Sequence, residues 1–532
     1  MKKYRIIIFA FIAIVCFASC KKFLTTTDTN PVQTNSSYYK TPSDAFTALV
    51  GCYNGLDLVW NNGGANAFPV CSEVFSDNCF GGTGASDGFG FQMMDEFDPK
   101  VSPSDASIFS GMWKAYYQAI YRCNVLLQNL DQVNWGDSTA LRKQYSAETR
   151  FIRAYLYFDM VRLWEKVPLI TKPTLANVPQ NDPEETYTQI MSDLRFASDS
   201  LPSVEYSATQ VGRVTKWAAE SLLARVYLFY SGYYGSASIG NETAATALAA
   251  TEDVIAHSGH ALVSDYNSLW PAAAIGKNVP YAGLVNKEVV FSIKYSSTGG
   301  NYNGNVTGNT WMVMEGIREQ TVYPYQYGWG ACTVDPKLWS AFSPTDTRRF
   351  ASVISVPDEN LAFSNASKNR EYTGYYLKKY SPLSDINGNS IVPNFQTGQY
   401  QDYFSIRYSD VLLMAAELGS PNAVTYFNQV HQRANPNDTP ATSITKANIL
   451  AERRLEFAGE GIRYWDLLRQ GIATAASTIA ANTTVSFFKD NTATPPTAAQ
   501  LEANIKQTRG FQQIPNDQIT LSSGTLIQNP GW

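Results

Sequence analysis

Charge is what this sequence has least of. Only 16% of its 532 residues are Asp, Glu, Lys or Arg, against about 25% in typical domains. The net charge of -5 is thinly spread, and no Lys/Arg run or basic stripe exists to neutralise phosphates, which points away from nucleic acid. Histidine is limited to three residues. The one close pair, His257-Ser258-Gly259-His260, contains a Gly that marks a helix end, so it reads as an unliganded surface loop rather than a metal site. No CxxC and no HExxH is present, which removes the common zinc and zincin signatures. After the first twenty residues no apolar run approaches the ~20 needed to span a bilayer. Beyond the leader five cysteines remain, Cys52, Cys71, Cys79, Cys123 and Cys332, an odd number that argues against a full disulfide framework. Cys71 and Cys79 are either paired across a short loop or buried free thiols.

Aromatics, in contrast, make up 13% of the chain, and low charge with many rings is unlike disorder. The N-terminus has a positive n-region, Lys2, Lys3 and Arg5. The apolar run Ile6 to Ala18 and Phe17-Ala18-Ser19-Cys20 follow. The run is too short to span and fits a secretory signal, and Cys directly after Ala-Ser resembles a bacterial lipobox. The expected division is a signal peptide over 1–19, a lipidated tether over 20–40 anchored at Cys20, and one body over 41–532. The only membrane contact expected is through acyl chains, each buried methylene contributing about 0.8 kcal/mol.

Helical signals begin at Thr41-Pro42-Ser43-Asp44, where Thr41 caps and Pro42 suits the first helical position. Apolar spacing of three and four then predicts helices around 113–127, 151–158, 183–194, 217–230, 244–255, 408–418, 422–433, 446–457 and 462–469. Leu223-Ala224-x-x-Tyr227 has the order of a tetratricopeptide first helix, with weaker echoes at Ala154 and Met414. The intervals do not keep a period of 34, so unrelated helical hairpins stay open as the alternative. Between helices lie long Gly-, Asn- and aromatic-rich stretches, 63–99, 279–339 and 356–402, broken by a strand-like 288–293. Loops of this length are uncommon unless functional.

Several segments then resemble the SusD/RagB family of outer-membrane nutrient-binding lipoproteins. They are Ala147-Glu148-Thr149-Arg150-Phe151-Ile152-Arg153-Ala154, Arg407-Tyr408-Ser409-Asp410-Val411-Leu412-Leu413, Glu452-Arg453-Arg454-Leu455-Glu456-Phe457 with Trp465-Asp466-Leu467-Leu468-Arg469, and the tail Gln528-Asn529-Pro530-Gly531-Trp532. The resemblance implies a mostly α fold. Tetratricopeptide-like helix pairs would form a superhelical scaffold packed against a loop-rich region with a few short strands, split into an N-terminal part of about 41–260 and a C-terminal part of about 261–532. It implies a surface-facing outer-membrane lipoprotein that captures oligosaccharide, or in some members peptide, for a SusC-like TonB-dependent transporter. Lys21 and Lys22 follow Cys20, where surface-exported members often carry acids. The charges Glu452, Arg453, Glu456, Glu460, Arg463, Asp466 and Arg469 read as an ion-pair network rather than an active site.

Sugar recognition without catalysis needs flat apolar faces and planar polar groups. By position, the resemblance implies a site on the two loop stretches. Asp77, Asn78 and Phe89 are the candidates from the first. Trp311, Arg318, Tyr323, Tyr325, Tyr327 and Trp329 come from the second. The alternation in Tyr323-Pro324-Tyr325-Gln326-Tyr327-Gly328-Trp329 equally suits a half-buried strand with rings turned inward. The competing functions are a glycoside hydrolase with an unrecognised carboxylate pair and a pure protein-interaction scaffold. No cofactor is predicted, and the sequence leaves open whether loop carboxylates hold a Ca²⁺.

Overall fold

The computed structural model describes residues 35–61, 66–204, 212–297, 307–481 and 495–532. The leader and Cys20 lie outside them. The expected tether is cut short by packing. Tyr39 is buried with its ring edge-on to Tyr38, and the Lys40 carbonyl accepts from the Asn134 amide at 3.0 Å.

Eight helices build one side. They are α1 (Pro42–Asn61), α4 (Ser110–Asn129), α5 (Thr139–Trp164), α6 (Pro183–Ser200), α7 (Lys216–Tyr234), α8 (Ala244–His257), α10 (Tyr408–Glu417) and α11 (Ala423–Ala434). They pack as α1 on α4, α5 on α6, α7 on α8 and α10 on α11. Contacts of α4 with α5, α6 with α7 and α8 with α10 join the pairs in series, the tetratricopeptide-like arrangement. The start of α1 is the predicted cap. The Thr41 hydroxyl accepts from the Asp44 amide at 3.3 Å, while the Asp44 carboxylate accepts from the Thr41 amide at 2.8 Å, so two of the orphan amides at the helix start are satisfied. Small residues let the paired helices close. A Cβ on Gly55 would sit 2.7 Å from the Ala119 Cβ.

The other side holds short elements. Of these, α2 (Phe68–Val74), α3 (Gly90–Glu96) and α9 (Pro271–Lys277) fall within the loop-like stretches or beside them. A four-stranded antiparallel sheet runs β1 (Cys79–Gly81), β3 (Cys332–Val334), β5 (Tyr375–Leu377), β4 (Val353–Ser355). The strand expected at 288–293 is β2 (Val289–Ile293). It pairs with β6 (Tyr403–Arg407), Tyr403 opposite Ile293. Helices do not stop at 469 as the sequence suggested. After α12 (Lys446–Glu456) and α13 (Arg463–Leu468) come α14 (Ile472–Ala480) and α15 (Ala498–Gln507), which pack on each other. All five described cysteines are buried free thiols, Cys71 and Cys79 included.

Between the two sides runs a buried ionic layer. Arg407 donates to Glu288 at 2.5 Å and to Glu456 and Glu460 at 2.8 Å. Arg433 bridges Glu288 and Glu456, Arg348 bridges Asp346 and Glu452, and Lys379 holds Glu460 at 2.6 Å. Arg453 spans Asp410 and Asp466, and Arg469 clasps Asp466 and Glu417. Buried ions persist only when paired in this way. Burial pushes the Asp410 carboxyl up, but the Arg453 and Arg225 guanidiniums outweigh it and hold the group below the ordinary range. Arg433, Arg407 and Arg348 do the same for Glu456. The seven charges singled out in the sequence all serve as scaffold.

Candidate functional site

The loop-rich side opens into a cleft of about 520 Å³; a separate groove of about 820 Å³ lies on the helical side. Five chain segments line the cleft. Helix α9 starts with Pro271 at its first position and ends on Asn278 in the left-handed region, so Ala274 and Ile275 face the opening while the chain turns back through Val279 and Tyr281. Met312 forms part of the lining. Tyr323 comes from the next loop. Ser381, Leu383 and Ile391 form one wall, and Gln399-Tyr400-Gln401 another.

The walls are fixed from behind. Trp270 packs on Tyr380 and Phe404 at 5.5 Å between ring centres, and Trp311 on Tyr380 at 5.0 Å. The Gln401 amide donates to the Lys379 carbonyl at 2.8 Å. The Gln399 carbonyl accepts from the Asn309 amide at 2.6 Å. In front, four of the eleven large apolar side chains that stay exposed among the described residues gather on this one cleft: Ile275 (42%), Tyr323 (46%), Ile391 (47%) and Tyr400 (43%). The buried Tyr281 hydroxyl has no hydrogen-bond partner, and burial pushes its pKa up, so it is a neutral donor. Rings, aliphatic rim and amide groups with neutral hydroxyls are the chemistry that recognises a polyol with apolar faces. The lining contains neither of the two carboxylates that glycoside hydrolysis requires.

Of the nine residues expected to meet a ligand, Tyr323 alone lines this cleft. Trp311 and Tyr325 are fully buried. The Trp311 indole donates to the Tyr295 hydroxyl at 3.2 Å, and the Tyr325 hydroxyl donates to Glu359. The alternation in 323–329 is real, with Tyr323 outward and Tyr325 inward, but the extended strand shrinks to Tyr327–Gly328. Tyr327 is half-buried against Phe395, and Trp329 is half-buried on the main core. Arg318 is buried, donating to the Trp329 carbonyl and pairing with Glu319. Asp77 receives both arms of Arg463 at 2.7 and 2.9 Å. Asn78 accepts from Arg454 at 2.9 Å. Phe89 lies under the Arg370 guanidinium. Asp77, Asn78, Arg318, Trp311 and Tyr325 therefore hold the fold together and present no surface to a ligand. Tyr400, Gln399 and Gln401 were missed. They sit in the 356–402 stretch, whose loop composition was visible but whose position opposite Tyr323 was not.

The helical-side groove is lined by Trp113, Tyr117, Tyr121, Pro168, Ile170 and Leu521 among others. Its cations are engaged, Lys114 with Asp517 and Arg122 with the Gly51 carbonyl. The two histidines of the close pair do not converge. His257 contacts Asp253 at 2.6 Å, whereas His260 is buried, its Nδ1 at 2.9 Å from the Lys287 carbonyl. Among the described residues no three His, Cys, Asp or Glu side chains are placed to hold a metal, and no helix is long and apolar enough to cross a membrane.

Two family models match the chain. One, described as the SusD family, covers residues 359–532, and one described as "Starch-binding associating with outer membrane" covers 82–228. SusD-like protein P25 of Formosa agariphila is 26% identical over 528 residues, 89% of this chain and 90% of the relative. SusD-like protein P2 of the same organism is 24% identical over the full length of both. Among solved structures, one described as a laminarin binding SusD-like protein shares 27% identity with a TM-score of 0.72, covering 93% of this chain and all of its own. Surface glycan-binding protein A from Bacteroides thetaiotaomicron, in complex with laminarihexaose, aligns at a TM-score of 0.74 over 92% of this chain and 100% of its own. Its identity of 24% speaks for the fold alone.

Proposed function

Because this chain belongs to the SusD/RagB family, we propose that it is a non-catalytic surface glycan-binding lipoprotein whose ligand site is the Tyr323–Tyr400 cleft. The observation that carries the proposal is the gathering of exposed rings and aliphatic side chains around one cleft with amide and tyrosine donors in its walls. The relative described as laminarin binding supports a glycan over a peptide. Captured oligosaccharide passes to a TonB-dependent transporter, and Cys20 carries the lipid that holds the protein at the outer membrane, facing outward. Binding of a glycan panel to the immobilised protein tests the site. Tyr323→Ala should weaken the best ligand by about tenfold or more, as loss of an aromatic anchor does. An unchanged affinity removes the cleft from the account. Fatty-acid labelling should mark the wild type and not Cys20→Ala.

The helical-side groove supports the partner half of the proposal. Tyr121 and Leu521 stay exposed along it, and it shares no lining residue with the cleft. Leu521→Glu should reduce co-purification of an outer-membrane barrel protein while leaving glycan binding intact. Undiminished co-purification would place the partner elsewhere.

A further inference from the structure

We infer that the cleft selects uncharged oligosaccharides and discriminates against uronic-acid or sulfated ones. This rests on the glycan-binding proposal for the same cleft. None of the fifteen lining residues is Asp, Glu, Lys, Arg or His. Anionic sugars are recognised through charge-assisted hydrogen bonds, most often the bidentate fork of Arg. A carboxylate or sulfate brought into a cleft without a cation loses hydration and gains no partner.

Nor do the residues next to the lining in sequence bring a cation into it. The charged residues within two positions of a lining residue are Lys277, Lys379, Asp385 and Asp402. Lys277 lies over the Phe350 ring at 4.5 Å. Lys379 is buried on Glu460 at 2.6 Å. Asp385 is occupied inside its own turn by the Asn387 and Asn389 amides. Asp402 is buried on Lys294 at 2.6 Å. Lys379, Asp385 and Asp402 are committed to the fold, Lys277 stands exposed against Phe350, and the lining itself offers tyrosine, glutamine, asparagine and serine as its polar groups. The partnerless Tyr281 hydroxyl fits the same assignment, since a neutral donor suits a sugar hydroxyl.

The test is calorimetric titration of the full mature chain with two sets of oligosaccharides of equal length. One set is neutral hexose oligomers, laminarihexaose among them; the other is oligouronides and sulfated oligomers. Wild type, Tyr323→Ala and Tyr400→Ala are compared at about 0.05 and about 0.5 M salt, a range over which exposed charge interactions are largely screened. The expected result is a neutral ligand whose affinity changes less than about twofold with salt and is weakened by either substitution. Anionic ligands of the same length should bind at least about tenfold more weakly. If anionic ligands bind more tightly, lose affinity with salt and are weakened by Tyr323→Ala, the charge selection is wrong and the site stands. If no oligosaccharide of either set binds, or if binding ignores both substitutions, the glycan assignment of the cleft itself fails. Both rings are exposed, so unchanged thermal melts should show that the variants are folded.

Discussion

The ionic layer and the cleft lie in one molecule and use opposite materials. In the layer, Arg407, Arg433, Arg348, Arg453 and Arg469 are each buried against two or more carboxylates. In the cleft no charged side chain lines the wall, and four large apolar side chains stand exposed. The contrast teaches where a chain with few charges places them. Paired inside, they fix how α12, α13 and the loops register on the helix pairs. Kept out of the cleft, they leave a surface of rings and amides.

The largest effect should come from breaking the layer. Arg407→Ala removes the cation that Glu288, Glu456 and Glu460 have in common, leaving Glu288 and Glu456 on Arg433 and Glu460 on Lys379. Breaking one side of a buried pair costs about 3–5 kcal/mol, and denaturant unfolding should show at least that. Any protein that still folds should bind glycan normally. A loss below about 1 kcal/mol would reduce the layer to the standing of surface pairs.

Next in size is a pair of aromatic truncations that separates wall from face. Trp311→Ala should lower stability by about 3–5 kcal/mol because its ring is core. Tyr323→Ala should leave the melt unchanged and weaken binding by about 1–3 kcal/mol. Equal melts for the two variants would erase the distinction between buried and presented rings.

The smallest effect is a pH dependence confined to the scaffold. Burial raises the Glu73 carboxyl to about 7 and likewise Asp57 to about 7, whereas carboxyls in an unfolded chain titrate near ~4. For these groups the stabilising contribution is complete below ~4 and is lost as pH rises to the folded value. Asp410 and Glu456 are held low, so their contribution is present above ~4 and is lost as pH falls below it. The melting temperature should therefore be highest near pH ~4–5 and decline on both sides, with Glu73→Gln shrinking the decline toward neutral pH. Glycan affinity should stay flat over the same range, because the cleft lining contains only neutral groups and tyrosines. A bell-shaped affinity profile would mean that a charged group reaches the ligand.

Much of the scaffold was legible because its signals are local. Caps and apolar spacing located α1, α4 to α8 and α10 to α13, and mixed charges at helical spacing read correctly as ion pairs. Helix α2 gave no such signal, since all seven of its residues are buried and no polar face exists to create a period. Helix α15 does carry one, a Thr497–Gln500 capping box. The cleft was less legible for a different reason. Aromatic density marks rings but not which side of the chain they leave from, so Tyr325 and Trp311 looked like Tyr323. Tyr400 gains its meaning only from a fold that sets it beside α9 and Tyr323, segments far apart in the chain.

The most direct measurement is a crystal structure of the protein with the neutral oligosaccharide that binds best in titration. The account predicts sugar density in the cleft, in contact with Tyr323 and Tyr400 and with no charged side chain at hydrogen-bond distance. Density along Trp113, Tyr117 and Tyr121 on the helical side, with the cleft empty, would contradict it.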